Sequence, residues 1–198
     1  MAADITDVSS PAKIVAALES HFPAHKVDIV VNNAGASPLK ALKDLTQEIL
    51  TETFQANVIF PTLLVQALLP HLSTTGTARI INISSEGSKL ARPNATAYSA
   101  SKAALESVTR TWAKELGQKY NGLTCNAVLP GMMETDLWAG LPEERKEFWK
   151  PIIAQTAVEG RLGRGEEVAA VVVWLAGDEG RWVSGEMVTV NGGANVFA

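Results

Sequence analysis

Four short runs rich in valine and isoleucine, VDIVV (27–31), ARIINIS (78–84), LTCNAVL (123–129) and EMVTVN (186–191), are separated by longer stretches of helical periodicity. Residues 46–72 and 96–120 carry apolar side chains on a helical stripe, and GEEVAAVVVWLAG opens with two glutamates, which favour the positive end of a helix dipole. Strands alternating with helices of this length dictate parallel pairing, because the chain must travel back along the sheet before the next strand can start. The expected fold is α/β, a three-layer doubly wound parallel sheet with helices on both faces, in a single domain over residues 1–198. VDIVV has no polar alternation, so within such a sheet it is expected to be buried on both faces and paired along both edges. The stretch 132–160 breaks the pattern. With Trp138, Phe148 and Trp149 set among charged residues, it reads as a helical lid over one end of the sheet.

Composition narrows the function classes. At 198 residues, 46 % apolar and 19 % charged, the chain is large enough to bury a sizeable core. A net charge of −4 with no run of Lys and Arg gives no general attraction to nucleic acid or anionic lipid, and neither is an expected partner. The apolar stretch VIFPTLLVQALLPHL is interrupted by Gln66 and two prolines, and no basic-then-apolar leader opens the chain, so a cytoplasmic protein is expected. Cys125, the single cysteine, reads as a small buried hydrophobe. His21, His25 and His71 are scattered without metal-ligand spacing, and no metal site is expected.

Ligands of open α/β sheets bind beyond the carboxyl ends of the strands. The residues there are NNAG after the first run, SSEGS after the second and PGMMET after the third, each of which also has ordinary turn chemistry. The helix TAYSASKAALESVTR adds something rarer. Tyr98 and Lys102 are four residues apart and share a helical face, where an ammonium can stabilise a phenolate. A phenol with an ordinary pKa of about 10 is a poor acid near neutrality, and a neighbouring cation moves it toward the working range. Ser85, thirteen residues before the tyrosine, closes a strand and is preferred over its neighbour Ser84.

Taken together, Asp4-Ile5-Thr6, NNAG at 32–35, Asn57 within its helix, Ser85, YSASK at 98–102, PGMMET at 130–135 and the tail VSGEMVTVNGG resemble the short-chain dehydrogenase/reductase family across essentially the whole chain. PGMMETDL, the stretch from GRLGRGEE to VSGE, and VNGGANV are particularly similar to 3-oxoacyl-[acyl-carrier-protein] reductases. The resemblance implies a Rossmann-like NAD(P)-binding domain that reduces a carbonyl, or oxidises the corresponding secondary alcohol, on an apolar small molecule. It implies that Tyr98 donates a proton to the carbonyl oxygen, that Ser85 hydrogen-bonds that oxygen, and that Lys102 lowers the tyrosine pKa and holds the nicotinamide ribose. Asn57 would hold a water leading from Lys102 to solvent. Met133 and Thr135 would fix the carboxamide; Asn33, Ala34 and Gly35 would lie along the adenosine ribose, and Asp4 and Ile5 would touch the adenine. NADP is slightly favoured over NAD, and a homodimer or homotetramer through helices 46–72 and 96–120 is implied.

In that family a Gly-rich turn of the form TGxxxGxG, a strand that selects the dinucleotide and two helices precede the DITD strand end, and the 198 residues contain no such turn. The nearest candidate, GRLGRGEE, follows the lid rather than a strand and reads as the start of a helix. By itself this chain is expected to lack the pyrophosphate grip, to leave VDIVV as a bare sheet edge, to aggregate, and to show no measurable NAD(P)H-dependent activity. Two other readings stay open. One is a catalytically inactive remnant acting as a binding or structural partner; the other is a cofactor-independent dehydratase or isomerase using Tyr98 and Lys102 as acid and base.

Overall fold

The structure, a computed structural model, describes residues 2–196, without the side chain of Leu137. Strands β1 (Ile29–Asn32), β2 (Arg79–Ile83), β3 (Thr124–Pro130) and β4 (Met187–Val190) pair in that order, all parallel. The register sets Val30 beside Ile80 and Ile80 beside Cys125, with Val31, Ile81 and Asn126 one step along. Because side chains alternate across a strand, these two rows face opposite ways. The first joins a core with Val65, Leu68, Trp112, Leu116 and Tyr120, and the second, through Ile81 and Val128, packs on Leu175. Helices α1 (Ser10–His21), α3 (Phe60–Leu68) and α4 (Thr96–Gly117) supply the first layer and α7 (Gly165–Ala176) the other. The three-layer parallel architecture expected from the alternation is present.

VDIVV is the bare sheet edge expected of this chain, not the strand covered on both faces and paired along both edges that its apolar run alone predicts. Ile29 is 48 % and Val31 42 % exposed, only Val30 is buried, and β1 pairs with β2 alone. The cause is coverage: α1 and α3 lie over the Val30 face, whereas α7 packs over β2, β3 and β4. The DITD segment is likewise a turn rather than the end of a strand. Asp4 Oδ1 accepts the Thr6 backbone N–H and hydroxyl, both at 2.8 Å, so the backbone is satisfied locally instead of by a neighbouring strand. In α1, Ile14, Val15 and Leu18 are half-buried as their spacing predicts, but Phe22 lies past the helix end and is exposed.

The long helical stretch 46–72 is interrupted. It runs as α2 (Gln47–Phe54), a π-helical turn (Gln55–Ile59) and α3, then a 3₁₀ turn (Leu69–His71). Proline at 61 explains the break, since it has no N–H to return to the carbonyl four residues back, that of Asn57. By length and composition this run could cross a membrane, but its buried face, Val65 and Leu68 included, is spent on the sheet. Short helices α5 (Asp136–Ala139) and α6 (Glu143–Ile153) occupy the expected lid region beyond the carboxyl end of β3.

Candidate active site

A cleft of about 410 Å³ opens at the carboxyl ends of the strands, walled by the loop after β1, the end of β2, the start of α4, the loop after β3 and the segment of α5 and α6. It gathers Asn33, Gly35, Ser85, Tyr98, Lys102, Met133 and Thr135 from four separate stretches of sequence. Ala34, Asn57, Asp4 and Ile5 are not among its walls.

Both serines at the end of β2 line the cleft, but their hydroxyls take different partners. Ser84 donates its hydroxyl to Glu106 Oε1 at 2.8 Å on α4, inside the protein. Ser85, held by the Gly87 N–H at 3.0 Å, interacts with the Tyr98 hydroxyl and draws its pKa down. Burial acts more strongly, so the phenol is raised from its ordinary 10.0; Arg92 is the cation that opposes burial. The shift of Tyr98 arises from burial, Ser85 and Arg92, with Lys102 not among its causes. Lys102 Nζ donates to the Ile83 carbonyl at 2.8 Å and sits over the phenol ring, 5.9 Å from its centre.

Lys102 is itself buried, which lowers its pKa to about 8. The sign of the consequence is definite. Between pH 8 and about 10.5 the folded chain has released this proton while the unfolded chain keeps it, so stability rises with pH. Cys125, fully buried and pushed up to about 12 from 9.0, acts oppositely, because above pH 9 only the unfolded thiol ionises. Urea midpoints should therefore climb from pH 8 to 9 and level off above, and Lys102→Met should remove the climb. A midpoint that falls across that interval in the wild type would contradict the buried ammonium.

Asn57, in the π turn, spends its side chain as a clamp. Its Oδ1 accepts the Ala36 N–H and its Nδ2 donates to the Ala36 carbonyl, both at 2.8 Å, and Nδ2 also reaches Ser101 Oγ at 2.9 Å. The loop after β1 is thereby fixed to α4 next to Tyr98 and Lys102. A Cβ on Gly35 would lie 2.9 Å from Asn57 Oδ1 and 3.3 Å from Lys102 Nζ, so the backbone there stays bare beside the buried amine. Met133 is held by a bridge to Gly163, and Thr135 caps α5 with its hydroxyl accepting the Trp138 N–H at 3.3 Å. GRLGRGEE starts α7 as expected: Glu167 accepts the Arg164 N–H at 2.7 Å and pairs with Arg161, so a carboxylate of the chain already occupies that helix end.

Several cleft residues were not foreseen from sequence. Arg92, Leu141 and Arg145 line it with Trp149, and Glu86 stands behind Arg92 as its ion-pair partner. The one available signal was the acid of SSEGS directly after a strand.

Residues 1–195 match a protein family described as enoyl-(acyl carrier protein) reductase. The chain is 39 % identical over 194 residues to the short-chain dehydrogenase/reductase FrzI of Cladobotryum sp., covering 96 % of this chain and 73 % of FrzI. The chain belongs to the short-chain dehydrogenase/reductase family. It is 37 % identical over 191 residues to the 3-oxoacyl-[acyl-carrier-protein] reductase FabG of Pseudomonas aeruginosa, covering 96 % and 74 % of the two chains. The crystal structure of the angucycline C-6 ketoreductase LanV with bound NADP superposes with a TM-score of 0.84 at 28 % identity, covering 97 % and 73 %. By class, this short-chain dehydrogenase/reductase is an NAD(P)-dependent oxidoreductase.

Proposed function

We propose that the cleft reduces the carbonyl of an apolar compound, or oxidises the matching secondary alcohol, with Tyr98 as acid or base. The observation that carries this reading is the meeting of the Tyr98 and Ser85 hydroxyls in a cleft that also holds the amine of Lys102. Tyr98 gives its proton to the carbonyl oxygen, and Ser85 donates a hydrogen bond to the same oxygen as negative charge gathers on it. The walls formed by Leu39, Met132, Leu141 and Trp149 exclude water and favour an apolar body around that carbonyl.

The residues present fit a nicotinamide nucleotide. The bare backbone at Gly35, kept clear beside Lys102, suits a ribose that must approach both. Lys102 would hold the ribose hydroxyls, Met133 and Thr135 the carboxamide, and Asn33 with Ala34 and Gly35 the adenosine side; Asp4 and Ile5 are assigned to the adenine. When bound, the nicotinamide supplies the hydride to the carbonyl carbon. The NADP held by LanV supports NADP as the form used. Asn57 would hold a water that resupplies protons toward Lys102. Residues 132–160 act as the lid, and exposed Leu50 and Ile59 on the 46–72 run suit assembly with a second copy. The test is the rate of Tyr98→Phe against wild type, taken up in the Discussion.

A further inference from the structure

Loops leaving the carboxyl ends of three neighbouring strands meet on one carboxylate. Glu86, directly after Ser85, is 1 % exposed, and both its oxygens are engaged. Oε1 takes the Arg92 guanidinium; Oε2 accepts from Asn191 Nδ2 and Asn195 Nδ2, each at 3.1 Å, in the loop after β4. Gly131, following β3, leaves the room for this. A Cβ there would fall 2.6 Å from the Asn191 Cβ and 3.5 Å from the Glu86 carboxyl carbon. A buried carboxylate is costly unless paired and hydrogen-bonded, and the chain surrounds this one with a cation and two amides.

Arg92 uses only part of its guanidinium on Glu86. Its Cζ lies over the Trp149 ring of α6, 5.6 Å from the centroid, and its side chain lines the cleft with Tyr98. A guanidinium can hydrogen-bond in its plane and stack on an indole at the same time, which an ammonium cannot do. Resting on the reading of Tyr98 as the acid, we propose that Arg92, clamped between Glu86 and Trp149, is a positioning residue that sets the electrostatic environment of the Tyr98 hydroxyl and ties it to the lid helix α6.

The charged groups around the phenol bear this out. Arg92 comes from the loop after β2, Lys102 from α4 with its ammonium turned to the Ile83 carbonyl, and Arg145 lines the cleft from α6. Among the described residues lining the cleft there is no carboxylate, so Glu86 behind Arg92 supplies the balancing negative charge. Arg92 is also the charged group that draws the Tyr98 pKa down against burial.

The test reads Tyr98 directly and needs neither substrate nor cofactor. The chain has two tyrosines, Tyr98 and Tyr120, so incorporation of 3-fluorotyrosine gives two fluorine resonances, and Tyr120→Phe identifies the one from Tyr98. The fluorinated phenol is the more acidic, which brings its titration toward pH values at which the fold persists. Arg92→Met should raise the Tyr98 midpoint by about one unit, since a nearby cation has been removed. Arg92→Lys should restore at least half of that shift. Glu86→Gln should lower the midpoint, because the guanidinium loses its counter-charge. Opposite signs for Arg92→Met and Glu86→Gln are the mark of electrostatic control. A midpoint unmoved in Arg92→Met, a rise in Glu86→Gln, or a rise in Arg92→Lys as large as in Arg92→Met would overturn the proposal. Failure of Tyr98→Phe to slow turnover would instead overturn the catalytic reading and leave these midpoints as measured.

Discussion

Tyr98→Phe should lower turnover by roughly 10²- to 10⁴-fold, the range expected when a positioned proton donor is removed, and leave nicotinamide-nucleotide affinity nearly unchanged. The substitution keeps the ring, with its packing beside Gly87, and deletes one hydroxyl. Ser85 then remains as a hydrogen-bond donor but has no proton to give at this pH, so the carbonyl oxygen develops charge without an acid. The relatives match over about three-quarters of their own length, so the comparison is best made within pairs, variant against wild type. The chain fused behind the Gly-rich βαβ segment of a full-length relative serves for this. Near-equal rates in such a pair would remove Tyr98 from the chemistry.

Lys102→Met should separate from Tyr98→Phe by damaging both quantities. Turnover should fall at least ~10²-fold, as for other proton-transfer groups, and the nucleotide dissociation constant should rise by about 10- to 100-fold, the equivalent of one charge-assisted hydrogen bond. The geometry favours this double effect. The amine is buried, fixed by Ile83, and next to the bare Gly35 backbone, where a bound group would meet it. Isothermal titration with NADPH beside steady-state rates distinguishes the two roles. A variant that loses rate but binds NADPH as the wild type does would confine Lys102 to proton transfer.

How much of this could be seen in the residues depends on how far apart the interacting groups lie. Tyr98 and Lys102 are joined by helical spacing, and Ser85 closes a strand, so local rules were enough to single them out. The four strands and their parallel order followed from the same kind of regularity. Glu86 was invisible for the opposite reason: its partners Asn191 and Asn195 are 105 and 109 residues away, and no periodicity links them. The exposure of Ile29 and Val31 agrees with the expected bare edge and not with the apolar run, which reports what a strand prefers, while burial depends on which helix arrives to cover it. The π turn was legible in principle. Pro61 stands four residues after Asn57, and reading 46–72 as one helix passed over what a missing N–H does to that carbonyl.

The central claim, that this cleft moves hydride and proton across a carbonyl, is tested most directly by isotope. NADPH carrying deuterium at the transferring carbon is incubated with the fused protein and a set of apolar ketones and 3-oxoacyl thioesters, and the products are weighed by mass spectrometry. The expected result is a secondary alcohol one mass unit heavy, made by wild type and nearly absent with Tyr98→Phe. A product that forms without cofactor and carries no label, such as an isomer or a dehydrated compound, would contradict it and point to acid/base chemistry without a nicotinamide.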